Sequence, residues 1–410
     1  MHSKKRIIVA VFISAFILRI SWMLITSSHV HPRIWEYENI AINLLNGHGF
    51  TYFHLNTVYR SFVQPLYPFF CTVIYLFTNH SYLILQLIQI IISSFICVII
   101  FEIAGIIFDR RIAVFSAILA VFHPGMIVYA VKLHPLVIDT FLISLVALTF
   151  LHLRSNFSVR NQIIAGIISG LCILTRSTIG LFLLLAVIWL LYRNGYPKKK
   201  IILGGFIILF ASFLIILPWM IRNYMVHRQV VFMQTTTGEV FWRGNNTNAS
   251  GSAYKIDGRT VLGSSSPEFL KKLYSLDEMG QNKLFREEAF GFMKGHPFEV
   301  MSLFIKKNYY FWWFSPQSGM EYPKLYLLIY KALYSVVILF GILGIIFALS
   351  SRISNIRENT LLILLLFLSI SFAQSLFYVE GRHRWAIEPM LLIFTANGIV
   401  NIKNMVKGKI

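Results

Sequence analysis

The side chains in this sequence that could do chemistry are a few charged residues set among long apolar runs. Charged residues make up only 13% of the 410 residues. A charge at membrane depth costs roughly 2.5–3.5 kcal/mol, so such residues usually face protein or a wet cavity. Outside the short basic segments and one large loop, the remaining cations are Arg19, Arg33, Arg60, Lys132, Arg176, Lys331, Arg382 and Arg384. Acids near the same ends of the apolar runs are Glu36, Glu38, Asp139, Glu380 and Glu388. Such a ring of cations with a few carboxylates predicts a cavity for an anion, and a lipid phosphate or diphosphate fits because Arg binds phosphate oxygens bidentately.

Several of these residues also have a purely structural interpretation. Arg19 is deep enough in the first apolar run to pair with a neighbouring helix, and Lys331 could extend its ammonium to the interface. Glu36 and Glu38 begin a helical pattern, where acids favour the helix dipole in any protein. Asp139 lies about one turn into an apolar run, where function and buried pairing are equally good explanations.

Composition places the chain in a membrane. Hydrophobic residues make up 57% of the sequence, and the mean hydropathy is +0.68, whereas a soluble domain is about 45–50% apolar and about 25% charged. The three cysteines, Cys71, Cys97 and Cys172, lie in apolar runs without metal or disulfide spacing and are interpreted as small hydrophobic residues.

The apolar runs predict an all-α polytopic protein with about ten transmembrane helices and both ends on one side. A retained first span follows the basic N-terminus, since no cleavage-site pattern succeeds it. Each long run approaches the roughly 20 residues that cross about 30 Å of hydrocarbon. The predicted spans are Ile7–Thr26, Ser81–Ile107, Ile112–Ala130, Pro135–Leu153, Gln162–Leu174, Ile179–Leu191, Ile202–Ile221, Leu325–Leu349, Leu361–Phe377 and Ile387–Ile402.

The basic residues give this topology a direction. With a cytosolic N-terminus, 16 of the 37 Lys and Arg residues fall in short inside segments, as the positive-inside rule requires. Both termini are therefore predicted to be cytosolic, and the candidate residues to lie at the extracytoplasmic face of the cytoplasmic membrane. The net charge of +20 is in large part a topology signal, so nucleic-acid binding, which needs basic residues on one exposed face, is excluded.

Two stretches are predicted to lie outside. The first, residues 27–80, carries a helical pattern from Tyr37 to Leu45 and a shorter run, Pro65–Phe77, interpreted as a re-entrant or interfacial helix. The second, residues 223–324, is a small mixed insert with strand- and turn-like sequence over Gln229–Gly251 and helix over Pro267–Phe292. The predicted organisation is a transmembrane module at 1–222, the insert at 223–324, and C-terminal transmembrane helices at 325–410.

Local motifs in order along the chain resemble a known family. They are Glu36-Tyr37-x-x-Ile40-Ala41, Leu44-Leu45-x-Gly47-x-Gly49-Phe50, Pro65-Leu66-Tyr67-Pro68, Gly170-Leu171-x-x-Leu174-Thr175-Arg176, Pro218-Trp219-x-Ile221-Arg222-Asn223-Tyr224, Gly244-Asn245-Asn246, and Arg382-His383-Arg384 with Glu388-Pro389. The set is similar to the GT-C superfamily of integral-membrane glycosyltransferases, specifically the bacterial relatives of protein mannosyltransferases (family 39-like) and of the aminoarabinose transferase for lipid A.

The resemblance implies a GT-C-like fold and transfer of a hexose or pentose from a polyprenyl-phosphate carrier to a lipid, glycan or protein acceptor. A base deprotonates the acceptor hydroxyl, and cations or a divalent metal stabilise the leaving phosphate. Relatives often place an Asp shortly before the matching Tyr, but none precedes Tyr37 here, so Glu36 is the first candidate base, Glu38 the second and Asp139 a third. Candidate phosphate-binding residues are Arg60, Lys132, His134, Arg176, Arg222, Arg382 and Arg384. No metal-ligand spacing stands out, and the metal requirement stays open.

Two other functions compete with this prediction. A transporter or flippase for a lipid-linked or anionic solute also needs buried charges, although transporters commonly show paired halves and midplane charges. The sequence shows no internal repeats, and its polar groups crowd one face, which favours the enzyme. An inactive relative that serves as an assembly partner is the third possibility, because the usual Asp is missing.

Overall fold

The computed structural model describes residues 2–193, 195–317 and 324–408. The helices are α1 His2–Thr26, α2 Glu36–Leu45, α3 Leu66–Thr78, α4 Tyr82–Ile107, α5 Arg110–Val121, α6 Pro124–Ala130, α7 Leu136–Ser155, α8 Val159–Ile173, α9 Gly180–Arg193, α10 Lys198–His227, α11 Thr237–Gly244, α12 Pro267–Tyr274, α13 Glu278–Gly295, α14 Pro297–Trp312, α15 Lys324–Leu349, α16 Ser354–Ser375, α17 Gly381–Trp385 and α18 Glu388–Val406. Short 3₁₀ turns occupy Ser177–Ile179 and Leu262–Ser264. The strands β1 Tyr52–His54 and β2 Thr57–Tyr59 form an antiparallel hairpin.

Six helices among the described residues are long and apolar enough to cross a membrane, and a seventh span arises if α5 and α6 count as one. The all-α polytopic fold class is confirmed, but the count of about ten spans is not. α3, α8 and the segment Ser177–Leu191 are apolar and shorter. α18 lies in the protein core, with every residue from Glu388 to Gly398 buried.

The predicted span Ile112–Ala130 is divided in the structure into α5 and α6, which meet at a 50° bend and pass together as one broken span or a re-entrant loop. The sequence at the break is His123-Pro124, and proline supplies no backbone N–H to continue the helical ladder. The His123 ring begins the new helix by accepting a hydrogen bond from the Met126 backbone N–H at 3.2 Å. The carbonyl of Val121, at the end of α5, accepts a bond from the buried Arg19, which supports the structural interpretation of that arginine.

The region between α10 and α15 differs in part from expectation. No strand forms over residues 229–251, all of which the structure describes, and α11 stands there instead. Trp242 of α11 packs with Leu284 and Phe285 of α13 in a small separate core, so tertiary burial overrides the strand-like pattern. The helix predicted over Pro267–Phe292 forms as α12 and α13, because Asp277 caps a new helix start by accepting from the Gly280 N–H at 2.8 Å.

Helices α15 and α18 pack backbone to backbone through glycines. A Cβ added at Gly344 would lie 1.9 Å from the Phe394 carbonyl oxygen, and one at Gly398 would lie 2.1 Å from the Phe340 carbonyl oxygen. Such close approach of apolar helices needs residues without side chains. The arrangement anchors α18, which follows α17, the short helix that contributes to the site described below.

Gly344→Ala is expected to lower the apparent melting temperature of the purified protein in detergent, because overpacking costs about 1–3 kcal/mol or more. Gly291→Ala is the matched control: Gly291 lies in the exposed face of α13, and an added Cβ meets nothing within 4 Å. Alanine is the better helix former there, so stability should hold or rise slightly. Equal melting temperatures for the two variants would contradict the packing described for α15 and α18.

Candidate active site

A cavity of about 510 Å³ opens where α7 begins and α16 ends. Its walls come from the start of α2, the β1–β2 hairpin, the segment 175–178, α11 and α17. Its ionisable lining residues are Arg33, Glu36, His54, His134, Asp139, Arg176, Glu239, Arg243, Glu380, Arg382 and His383, together with Tyr37, Tyr52, Tyr254 and Tyr378. This combination of carboxylates and guanidinium groups in one concave site makes the cavity the candidate active site.

The structure brings half of the ten predicted site residues together. Those that line the cavity are Glu36, His134, Asp139, Arg176 and Arg382. Those outside its lining are Glu38, Arg60, Lys132, Arg222 and Arg384. The roles assigned to all ten stay predictions, but the geometry separates groups that can reach a ligand in the cavity from groups held elsewhere.

Glu36 is the first residue of α2, and its side chain lines the cavity. Its carboxylate makes no ion pair with any described residue. Burial raises the pKa of Glu36 above its ordinary value, while the charges of Arg382, His54 and Arg243 oppose that rise. A carboxylate with a raised pKa and no fixed partner can accept a proton from a ligand hydroxyl.

Glu38, two residues further along α2, is 1% exposed and points away from the cavity. One oxygen accepts the Tyr75 hydroxyl at 2.6 Å, and the other contacts the His80 Nε2 at 2.6 Å. Both partners belong to α3 or the turn that follows it. Glu38 therefore fastens α2 to α3.

Asp139 and Arg176 form a partly satisfied pair on the wall. The Arg176 Nη1 lies 3.5 Å from Asp139 Oδ2, and its Nη2 donates to the His383 carbonyl at 3.1 Å. The Asp139 Oδ1 and the Arg176 Nε are buried without a partner among the described residues. Each residue can thus still bond a ligand.

Arg382 projects into the cavity from α17. It pairs with Glu380 at 2.6 Å, and its guanidinium lies 5.9 Å from the centre of the Trp35 ring. Glu380 and His383 form a capping box that starts the short helix α17, with the Glu380 N–H donating to the His383 Nδ1 at 3.1 Å. Burial, with the nearby Arg382 and Arg176, lowers the pKa of His383 well below its usual range, so its ring is neutral.

His134 stands just before α7, its ring edge-on to Trp35 and Tyr37 at 5.1 and 5.8 Å. Its Nδ1 accepts the Leu136 N–H at 3.2 Å. Burial first, and then the charge of Arg382, lowers the pKa of His134 well below its ordinary value. A neutral imidazole adds no positive charge, so His134 could contribute to its predicted phosphate binding only by donating a hydrogen bond from Nε2.

Arg60 and Arg222 belong to a separate polar network. Arg60 is exposed, its N–H donates to Glu278 at 2.8 Å, and its carbonyl accepts from the Arg222 Nη1 at 2.6 Å. Arg222 also lies 4.8 Å from the centre of the Trp219 ring. Because Glu278 also accepts the Ser61 N–H at 3.0 Å, this network holds the loop that enters the cavity at Phe62.

Lys132 and Arg384 contact aromatic rings outside the cavity. The Lys132 Nζ lies 4.6 Å from the centre of the Tyr129 ring. Arg384 is fully buried, pairs with Glu388 at 3.0 Å and lies 3.7 Å from the centre of the Tyr334 ring. Arg384 therefore binds the helices together, while Arg382, two residues earlier, faces the cavity.

A cluster contributed by α11 and the hairpin was not predicted from the sequence. Glu239 accepts bonds from Arg243, one turn later, and from the His54 Nε2 at 3.0 Å. Burial alone would raise the pKa of Glu239, but Arg243 and His54 lower it to about 2. A signal was present: Arg243 directly precedes the motif Gly244-Asn245-Asn246. As one of several cations in a polar loop, however, Arg243 does not stand out by position.

A buried lysine fixes the end of α11. The Lys307 Nζ, 1% exposed, donates to the Gly244 carbonyl and to Asn245 Oδ1, both at 3.1 Å. Burial lowers the pKa of Lys307 to about 8. The ammonium satisfies a carbonyl at the helix C-terminus, where positive charge is favourable. It thereby holds Arg243, the neighbour of Gly244, in the wall.

Unpartnered buried polar atoms concentrate at this cavity. Buried polar groups are nearly always hydrogen-bonded, so each exception needs a reason. Thirteen described residues have a buried side-chain nitrogen or oxygen without a partner, and six of them line the cavity: Trp35, Asp139, Arg176, Thr178, Gln234 and Arg243. A polar ligand in the cavity would satisfy them. Within the described ranges, no group of three or more His, Cys, Asp or Glu side chains is placed to hold a metal ion.

Known proteins share part of this sequence and much of this fold. Residues 63–221, less than half of the chain, match the family described as dolichyl-phosphate-mannose-protein mannosyltransferase. The archaeal oligosaccharyltransferase AglB from Archaeoglobus fulgidus, solved with an inhibitory peptide and a dolichol-phosphate, matches at 14% identity with a TM-score of 0.57. The match covers 99% of this chain and 52% of AglB. The chain has the fold of the GT-C superfamily.

A second structure of the Archaeoglobus enzyme, tethered to an acceptor peptide with the sequence NVT, matches at 15% identity and a TM-score of 0.56. It covers 97% of this chain and 50% of that one. ArnT from Cupriavidus metallidurans, solved with undecaprenyl phosphate, matches at 14% identity. The match covers 98% of this chain and 79% of ArnT, but its TM-score of 0.46 is too low to support an inference. Comparison with curated protein sequences gave no match.

The expected resemblance to GT-C glycosyltransferases is thus confirmed. The chain spans about half the length of the oligosaccharyltransferases that it matches. The fold is shared along nearly the whole chain, and the cavity described above lies within it.

Proposed function

We propose that this GT-C protein transfers a hexose or pentose from a polyprenyl-phosphate carrier to an acceptor hydroxyl, at the extracytoplasmic face of the cytoplasmic membrane. One observation carries the proposal. The cavity holds a carboxylate, Glu36, that forms no ion pair with any described residue, together with the arginines Arg176 and Arg382. A base and phosphate-binding cations in one site are what such a transfer needs.

The related proteins support the carrier class. The matching family is described as using dolichyl-phosphate-mannose, and the Archaeoglobus enzyme was solved with a dolichol-phosphate. Both carriers are long isoprenoid phosphates. The basic inside segments along the sequence support the orientation of the site, because they leave the cavity on the far side of the membrane.

We assign the leaving phosphate to the wall formed by α7, the segment 175–178 and α17. Arg176 and Arg382 lie there, each held by a carboxylate that fixes its orientation. Asp139 lies in one of the six long apolar helices, which places this wall next to the membrane that would hold the isoprenoid tail. Guanidinium groups placed in advance stabilise the charge that develops on the leaving phosphate.

Glu36 takes the acceptor proton in this scheme. As the acceptor oxygen bonds to the anomeric carbon, the bond from that carbon to the phosphate oxygen breaks, and the phosphate keeps the electron pair. The acceptor proton passes to the Glu36 carboxylate and then to solvent. Glu36 lines the same cavity as Arg176 and Arg382, so the proposed base and the proposed phosphate-binding groups can act on one bound sugar.

The purified protein in lipid vesicles tests the proposal. It is incubated with radiolabelled undecaprenyl-phosphate hexoses or pentoses and with lipid, glycan or protein fractions as acceptors. We expect labelled sugar to appear in one acceptor fraction, with one undecaprenyl phosphate released per sugar. The competing transporter would move the labelled carrier between leaflets without releasing free undecaprenyl phosphate, and that result would contradict the enzyme.

The pH dependence of transfer reports on the base. Because burial raises the pKa of Glu36 above its ordinary value of 4.5, we expect the acid limb of kcat/KM to rise through a pH above 4.5. Arg382 lowers the Glu36 pKa, so Arg382→Gln should move this limb to still higher pH as well as slowing transfer. The exposed Arg259→Gln is the control and should leave the profile in place. An unmoved limb in Arg382→Gln would argue against Glu36 as the titrating base.

A further inference from the structure

One part of the cavity wall is built from the hairpin, the loop after it and α11. Tyr52 and His54 alternate along β1 and so share one face of the hairpin. Phe62 completes the surface: its ring centre lies 4.5 Å from that of Tyr52 and 4.9 Å from that of His54. All three rings line the cavity. They form a continuous aromatic surface, referred to below as the hairpin wall.

The polar atoms beside the hairpin wall include an unused donor and an unused acceptor. The Arg243 Nε is a buried donor and the Gln234 Oε1 a buried acceptor, both without a partner among the described residues. Glu239 neutralises Arg243, and its two oxygens are occupied by Arg243 and His54. A ligand here gains little from a net charge. It gains from groups that both donate and accept hydrogen bonds, as hydroxyls do.

The hairpin wall is held rigidly. The Thr236 hydroxyl donates to the Phe62 carbonyl at 2.7 Å, and the Thr235 N–H donates to the Ser61 carbonyl at 2.8 Å. These bonds tie the loop after the hairpin to the start of α11. Aromatic rings fixed in advance bind a ligand with less loss of conformational freedom.

We propose that the hairpin wall is a subsite for the ring of an uncharged sugar, with Tyr52 and Phe62 packing on its C–H face and Gln234 and Arg243 bonding its hydroxyls. A sugar ring combines an apolar face with a rim of hydroxyls, which matches aromatic surface and mixed polar atoms. Tyr52 also lies near the proposed base. Burial raises the Tyr52 pKa, and the negative charge of Glu36 raises it further. This inference rests on the proposed function, and the sugar could be that of the donor or that of a glycan acceptor.

Tyr52→Leu removes the ring, Tyr52→Phe keeps it, and Phe53→Leu is the matched control. Phe53 is the next residue on β1, 66% exposed and pointing to the other face. For each variant we measure the affinity for undecaprenyl phosphate and the affinity for the undecaprenyl-phosphate sugar that the wild type uses. The KM for the acceptor and the melting temperature are measured as well. Removal of the aromatic contact in Tyr52→Leu is expected to weaken sugar binding by roughly three- to tenfold, seen in carrier affinity or in acceptor KM. Tyr52→Phe and Phe53→Leu should stay near wild type.

The result also separates the two sources of the sugar. Weaker binding of the carrier-linked sugar, with undecaprenyl phosphate unaffected, assigns the subsite to the donor. A raised KM for a glycan acceptor, with donor binding unaffected, assigns it to the acceptor. Two results overturn the subsite. In one, an active Tyr52→Leu protein matches the wild type in all these measurements. In the other, its affinities for undecaprenyl phosphate and for the carrier-linked sugar fall by the same factor. If instead the wild type transfers no sugar from any carrier, the proposed function itself fails.

Discussion

Replacing Glu36 with glutamine is expected to lower kcat/KM for sugar transfer by about 10²–10⁴-fold, the usual contribution of a general base. The amide keeps the size and hydrogen-bonding reach of the carboxylate but cannot take the acceptor proton. Because the Glu36 carboxylate has no ion pair with a described residue, the change should leave the melting temperature and the binding of undecaprenyl phosphate close to wild type. Transfer is measured in vesicles with the carrier that the wild type uses.

Glu38→Gln and Asp139→Asn, compared with Glu36→Gln, decide between the three carboxylates predicted from the sequence. The exposed Glu287→Gln on α13 is the control for the loss of one negative charge and should be fully active. Glu38→Gln should lower stability more than the rate of the chemical step, because the two Glu38 oxygens hold Tyr75 of α3 and His80 of the turn after it. Near-normal turnover by Glu36→Gln, with loss of turnover in Asp139→Asn, would transfer the role of base to Asp139.

Replacing Arg384 with methionine is expected to destabilise the protein by about 3–5 kcal/mol, the cost of leaving a buried charge without its partner. Glu388 would lose its ion pair at 3.0 Å while 1% exposed. The Phe311 and Trp313 carbonyls would lose their bonds from Arg384 as well. Arg384 thus joins the end of α14 to α17 and α18. Denaturation of the detergent-solubilised protein, followed by loss of helical circular dichroism, measures the change.

The double variant Arg384→Met with Glu388→Gln tests whether the uncompensated Glu388 charge causes this destabilisation. If the cost arises from the uncompensated Glu388 charge, removing that charge should restore part of the stability, since the His123 and Tyr330 contacts can persist with an amide. The exposed Arg259→Gln should change stability little, because solvent screens surface ion pairs. A double variant no more stable than Arg384→Met would show that lost packing, not charge, dominates.

Much of the architecture was predictable because it depends on local sequence. Apolar runs gave the long helices, since only backbone that bonds to itself can cross hydrocarbon. The helix predicted from Tyr37 to Leu45 forms as Glu36–Leu45, and the glycines that follow it, Gly47 and Gly49, adopt positive φ angles of 78° and 75°. The strand expected within Gln229–Gly251 failed because burial of Trp242 against α13, a contact distant in sequence, decides the structure there.

The candidate site was only half predictable. The sequence marked out Glu36, Asp139, Arg176 and Arg382 by their unusual positions in or near apolar runs, and all four line the cavity. Arg243 carried no such mark, because a cation in a polar loop is ordinary until the fold buries it. His54 and Glu239 are 185 positions apart in the sequence, so no local pattern could predict their contact.

The sequence by itself determined that this is a multi-spanning helical protein with GT-C-like motifs and reactive charges gathered at one end of its helices. Only the tertiary structure decided which of those charges share a cavity. Glu36 and Glu38, like Arg382 and Arg384, are two residues apart on a helix and therefore lie on different faces. In each pair one side chain faces the cavity and the other holds the fold together. Neighbouring helices make that choice, because they alone determine which face of α2 or α17 is covered.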